Sequence, residues 1–255
     1  MPIVVTALSI TPVKGTRVQY VDRIELDRSG ARGNRRFYVI DEHDRMVNGK
    51  QLGGLIELVA TASEKEGTLT LAFPDGRVVS AHVRGGPRIR TTFFSSPAEA
   101  RLVDGPFAEA LSEHLGTPLR LVEADGAVDR GPEGAISLIS RASLAKLAEV
   151  ADERSIDARR FRMLIEVDGV TAHTEDQWVG QPARIGDAVV RFGGHVGRCL
   201  ITSRHPENGT VDLPTLDLLR DYRGELPTTE PLPFGIYGEV LEPGAVHVGD
   251  QVVLG

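Results

Sequence analysis

A single cysteine, Cys199, in 255 residues excludes an intramolecular disulfide and supplies too few thiolates for a zinc ribbon or an intrinsic iron-sulfur cluster. If electrons pass through this chain, an external partner delivers them. Positive charge is also scarce: the formal net charge is -7 and the pI near 5.5, so no global field draws in nucleic acid or an anionic membrane. An anionic ligand would need a local basic pocket. No run approaches the ~20 apolar residues that span a bilayer, and the opening stretch MPIVVTALSITPVKG lacks the basic leader and long apolar segment of a secretory signal. A cytoplasmic location is expected. His173, His195 and His205 show neither HExxH spacing nor a CxxC companion, which argues against a zinc enzyme. GGHVG at Gly193 to Gly197 lacks the full phosphate-loop pattern, which argues against a nucleotide hydrolase.

What is present is ordinary globular composition, 41% hydrophobic and 25% charged, in a chain long enough for two packed domains or one large β domain. The first ~90 residues read as short strands separated by turns. Pro74-Asp75-Gly76, between TLTLAF and RVVSAHV, marks a tight hairpin, because Asp and Gly tolerate positive φ. The segment from Ser96 to Leu115 opens with helix-start residues and then carries Phe107, Leu111 and Leu115 at helical spacing, predicting a helix from about Gly105 that Gly116 and Pro118 stop. DGAVDRGPEG, residues 125–134, has the composition of a linker or loop. Ser140 caps a predicted helix over LAKLAEV, and DLPTLDLLRDYR reads as another. FRMLIEVDG, ARIGDAVVRFGG, CLITS, GIYGEVLEPG and HVGDQVVLG read as strands. The pattern predicts a mainly β (α+β) architecture without alternating βαβ units.

Ordered segments then carry a resemblance. TPVKG at Thr11 to Gly15, GARGNRRFYVID at Gly30 to Asp41 and GKQL at Gly49 to Leu52 occupy the first half. RRFRMLIEVDG at Arg159 to Gly169, EDQWVGQPARIGD at Glu175 to Asp187, GRCLITSRHPENGTVD at Gly197 to Asp212 and FGIYGEVLEPGAVHVGDQV at Phe234 to Val252 occupy the second. Taken in order, they resemble the MOSC family, in particular the two-part proteins related to the mitochondrial amidoxime reducing component. The resemblance implies an N-terminal β-rich domain over residues 1–124 packed on a MOSC-type β-barrel over 125–255, with peripheral helices. Asn34 stands where the family has Asp, Met163-Leu164 where it has Pro-Asn, Gly53 where Pro is common and Asn208 where Thr is usual.

Bottom-up, Cys199 is either a small buried hydrophobe or a thiolate stabilised by neighbouring positive charge or a metal. Taken alone, Cys199 favours the small buried hydrophobe; the match of Gly197-Arg198-Cys199 to the family reverses that, and the resemblance implies a thiolate ligand to molybdenum. The resemblance implies that Lys14, Arg35 and Arg162, each in a matched segment, converge on the anionic tail of a molybdenum-pterin cofactor of the molybdopterin type, with Arg198 and Gln51 as further cofactor contacts; any one of the three cations in isolation reads better as solvated surface charge, and Gln51 equally as a strand-end solvent residue. Strand alternation would send only one of Arg35 and Arg36 into a pocket, and Arg35 is the choice. Lys50 could add a contact. His195 could donate a proton near Cys199, or be an ordinary histidine. Asp176 could orient a basic ligand, whereas Trp178 is expected to be structural. The resemblance implies an oxidoreductase that removes oxygen from a small N-hydroxylated substrate, with reduction by an external electron-donor protein and no nucleic-acid or membrane partner. Two alternatives stay open: a sulfur carrier using Cys199 in metal-sulfur cofactor assembly, and a repurposed scaffold without molybdenum.

Overall fold

A computed structural model of the chain describes residues 1–126, 129–228 and 230–255. Within the stretch read as a linker, Ala127 and Val128 lie outside the described residues.

The dominant feature is a closed seven-stranded barrel. Its strands run in the order Ile165–Asp168, Ile136–Ser140, Pro233–Glu242, Ala188–Gly197, Pro182–Ile185, Gln251–Leu254 and Ile3–Ile10, and the last pairs back onto the first. Pairing is antiparallel except between Ile136–Ser140 and Ile165–Asp168, which are parallel. The parallel pair requires a crossover, supplied by the helix Arg141–Val150, whose Ser140 hydroxyl accepts from the Ser143 N–H as the sequence predicts. Leu8, Val167, Ile185, Phe192 and Ile236 point inward and are essentially inaccessible. At roughly 1.5–3 kcal/mol for each such side chain, this interior is the main favourable term that the barrel has. Trp178 is part of it, packed against Phe192.

A five-stranded sheet, in the order Arg84–Phe93, Ser96–Asp104, Arg120–Ala124, Phe37–Ile40 and Met46–Val47, lies in the first half. A three-stranded meander of Val59–Ser63, Thr68–Ala72 and Val78–His82 packs with it around Phe37, Leu55, Leu71 and Phe107. The Pro74 to Gly76 turn closes the predicted hairpin, with Gly76 at φ 87°. Because Ile3–Ile10 belongs to the barrel and Arg23–Asp27 pairs with Gly244–His247, strand pairing crosses the sequence position 124/125.

The helix predicted from about Gly105 spans Phe107–Leu115 and ends on left-handed Gly116, while the residues before it form the strand Ser96–Asp104, paired with Arg84–Phe93. One local expectation is corrected. CLITS is not a strand: Cys199 is extended and Leu200–Ser203 form a 3-10 turn, closed by Thr202 N–H donating to the Cys199 carbonyl. The third helix is Thr215–Arg223. No helix among the described residues is long and apolar enough to cross a membrane.

Candidate functional site

The turn that leaves the first barrel strand carries Lys14. Thr11 and Thr16 are buried and joined hydroxyl to hydroxyl at 2.8 Å, Val13 is buried, and Lys14 N–H donates to the Phe37 carbonyl. Gly15, at φ 97°, completes this turn and leaves the Lys14 side chain as its projecting group. Arg35 sits in the neighbouring turn at φ 53°, its N–H donating to the Thr11 carbonyl at 2.8 Å. Arg36 is directed elsewhere, onto Glu123 at 2.7 Å. The left-handed turn at Arg35, not strand alternation, separates the two.

From the second half, the 3-10 turn Ala158–Phe161 ends on Arg162 at φ 55°. Its guanidinium donates to the Thr16 carbonyl at 2.6 Å. Bulges in the strand Ala188–Gly197, between Phe192 and Gly194 and between His195 and Gly197, redirect the chain just before Cys199. Gly197 N–H donates to Glu230 at 2.7 Å, so the close approach made there is to Glu230. Arg198 straps the strand to the Arg162 turn by donating to the Phe234 and Phe161 carbonyls and to the Met163 thioether.

Lys14, Arg35, Arg162, Arg198 and Cys199 all line one cleft of about 430 Å³. Lys50 and Arg130 add charge, and Phe94, Phe161, Met163, Ile201 and Tyr237 supply apolar wall. Cys199 is a free, exposed thiol. The lone acid in the lining is Asp129, which accepts from Lys14 at 2.5 Å and from Arg35 at 2.6 Å. Its pKa is held well below the usual carboxylate range by these cations, against the opposing effect of burial. Arg130 pairs with Glu230.

Arg162, Arg198 and Lys50 have no carboxylate partner among the described residues. Enclosure pushes Arg162 down to about 9, with Arg35 adding repulsion. It pushes Arg198 down by a similar amount, opposed by the nearby Cys199. Lys14 falls to about 8 through burial, despite Asp129. At neutral pH these groups stay charged. A chain of net charge -7 therefore concentrates unbalanced, partly desolvated cations around one thiol, an arrangement whose cost an incoming anion would offset.

Gln51 and His195 are not brought to this cleft. The Gln51 side-chain Oε1 accepts from Asn48 N–H in an exposed turn. His195 faces Asp176 at 3.7 Å, and Asp176 accepts from Arg223 at 2.6 Å, so neither acid nor imidazole is among the lining groups. Asn34 accepts from Thr11 N–H at 2.9 Å, a bond that a carboxylate would also accept. Sequence reasoning missed Asp129 and Phe94. Asp129 lies in a polar stretch without periodicity, and Phe94 on a turn without the Asn or Gly that signals a two-residue hairpin.

A larger groove of about 1290 Å³, bordered by Tyr20, Arg141, Glu153, Arg159 and Glu166, mixes charges of both signs and holds no thiol. No group of three or more His, Cys, Asp and Glu that could hold a metal occurs among the described residues.

Comparison with known proteins gives a family. Residues 125–253 match the MOSC domain, and residues 3–118 match the MOSC N-terminal beta barrel domain. No curated protein matches the chain. Among solved structures, the YuaD protein of Bacillus subtilis is similar at 12% identity and TM-score 0.48, over 100% of this chain and 96% of that one. YiiM of Geobacillus stearothermophilus is similar at 21% identity and TM-score 0.37, over 49% of this chain and 56% of that one.

Proposed function

The chain belongs to the MOSC family, a family known for molybdenum-cofactor binding, and on that premise we propose that its cleft holds a molybdenum-pterin cofactor with the Cys199 thiolate as protein ligand to the metal. The observation that carries this reading is the convergence of Arg162, Arg198, Lys14 and Arg35 beside an exposed thiol, with Asp129 as the lone acid in the lining. The donor set fits such a group: soft sulfur for the metal, and guanidinium forks for an anionic tail.

When bound, the cofactor supplies the two-electron chemistry that removes oxygen from an N-hydroxylated substrate, the oxygen leaving as water with two protons. An external electron-donor protein would supply the electrons. Lys14, Arg35 and Arg162 would hold the anionic tail. Arg198, fixed by the Phe234 and Phe161 carbonyls, keeps positive charge beside Cys199. The Lys14 Nζ, brought to about 8 by burial, stays protonated at neutral pH and can donate hydrogen bonds to that tail. His195, turned to Asp176, would reach the cleft only through water.

The test is elemental molybdenum and released-pterin analysis of protein made in a cofactor-competent host, alongside Cys199→Ala and Arg162→Ala. Near-stoichiometric metal in the native chain and reduced occupancy in either variant are expected. Absence of both metal and pterin under verified cofactor supply would sink this reading. Exposure of Cys199 also suits a persulfide-carrying role, which would then be sought by sulfur transfer from a persulfide donor.

A further inference from the structure

Phe94 is positioned in a way that packing does not explain. It lies in the two-residue turn that joins Arg84–Phe93 to Ser96–Asp104, where Phe93 is paired directly with Ser96. Such turns favour Asn or Gly because their backbone twist requires positive φ. Phe94 nonetheless holds φ 54°, a conformation costly for a bulky side chain. Burial does not repay that cost, since the residue is 54% exposed and its aromatic contact is an edge against Phe93. What the strained turn achieves is placement. The ring stands in the lining of the Cys199 cleft, with the Lys14 ammonium 5.3 Å and the Lys50 ammonium 5.8 Å from its centre.

We propose that Phe94 is a specificity-determining platform on which a planar, conjugated substrate stacks, and that the flanking ammonium groups restrict that substrate to uncharged or anionic compounds. The proposal rests on the cleft being the substrate cleft, and it names the class: aromatic N-hydroxylated compounds over aliphatic ones and over cationic aromatics. Stacking on one ring face contributes beyond area alone by about 0.5–1.5 kcal/mol, or roughly three- to tenfold in affinity. A cation would meet Lys50 and Arg162, which have no carboxylate partner among the described residues, beside Lys14 and Arg35, which share the single carboxylate of Asp129, so repulsion opposes its attraction to the ring.

Calorimetric titration of the full chain with benzohydroxamate, acetohydroxamate and benzamidine tests this, with molybdenum and pterin content measured on the same samples. The native chain should bind benzohydroxamate at least about threefold more tightly than acetohydroxamate, and more tightly than benzamidine. Phe94→Ala should abolish the aromatic preference at unchanged cofactor content, and Phe94→Tyr should keep it. Phe94→Gly should abolish it without lowering the Tm, because glycine accepts the positive φ. An aromatic preference that survives Phe94→Ala would overturn the proposal, as would benzamidine binding as tightly as benzohydroxamate. Loss of pterin in Phe94→Ala would assign the ring to the cofactor instead. A lowered Tm in Phe94→Gly with equal weakening of both hydroxamates would assign it a structural role. Absent metal and pterin in the native chain would count against the proposed cofactor, while the titration would still decide the ring preference.

Discussion

Arg35 donates from Nη2 to the carbonyl oxygen of Arg162 at 3.1 Å, and both residues hold left-handed backbone, at φ 53° and 55°. Two like charges from opposite halves of the sequence are thus locked together by main-chain geometry. Left-handed backbone costs a non-glycine residue about 1 kcal/mol, and the Arg162 bond to the Thr16 carbonyl returns a similar amount. Arg162→Gly should therefore change stability by less than about 1 kcal/mol in urea unfolding. Its affinity for inorganic pyrophosphate should nevertheless fall about tenfold, since a charge-assisted contact to the anion is lost. A large loss of stability would show that the turn depends on the side chain.

Asp129 supplies the counter-charge for Lys14 and Arg35, and its folded pKa is depressed. A carboxyl of this kind stabilises the fold above its unfolded value near 4, and that contribution is lost as pH falls below it. Asp129→Asn should flatten the acid limb of the stability profile below about pH 4 and cost about 1–3 kcal/mol at neutral pH. The same variant should bind pyrophosphate more tightly at low salt, because two cations lose their internal partner. Unchanged anion affinity would mean that Lys14 and Arg35 do not face the ligand.

The elements legible in the sequence are those whose cause is local. The Pro74 to Gly76 turn and the Ser140 cap follow from residues within a few positions, and both stand in the fold. The fold class followed from the strand pattern, and the MOSC family from segments that lie far apart in sequence. Barrel closure by Ile3–Ile10 against Ile165–Asp168 is a pairing that no local pattern encodes. The hairpin at Phe94 was illegible because its turn holds Phe and Ser where Asn and Gly are the usual signal. Of the candidate site residues, the cleft gathers Lys14, Arg35, Arg162, Arg198 and Cys199, whereas the Gln51 side chain accepts from Asn48 N–H and His195 faces Asp176 at 3.7 Å. Asp129 could not be foreseen, since its role arises from an approach to Lys14 across 115 residues.

Lys14 has its pKa lowered from 10.5 to about 8, principally by burial. Below about 8 the folded chain carries the cost of a charged, enclosed ammonium; that cost is relieved as pH rises from about 8 to 10.5, because the unfolded state then binds the extra proton. Stability should thus gain a rising contribution across this window that is missing in Lys14→Met. Pyrophosphate affinity should move the other way, weakening as pH passes about 8, and Lys14→Arg should shift that weakening to higher pH. Titrations at several pH values separate the two effects. A flat affinity profile in the native chain would remove Lys14 from the anion site.

Gly235, at φ 81°, sits where the strand Pro233–Glu242 passes the Arg198 side chain. A Cβ there would lie 2.8 Å from the Leu138 carbonyl oxygen, 2.8 Å from the Met163 methyl carbon and 3.3 Å from Arg198 Nη2. The Met163 methyl could rotate away, but the Leu138 carbonyl belongs to a barrel strand that pairs with this one. Gly235→Ala therefore combines unfavourable backbone with a main-chain clash, and should destabilise by roughly 2–4 kcal/mol in urea unfolding. The shift should also loosen Arg198 from the Phe234 carbonyl, so the molybdenum and pterin content of protein made in a cofactor-competent host should fall. If the variant unfolds more readily while that content is unchanged, Arg198 does not help to hold the cofactor.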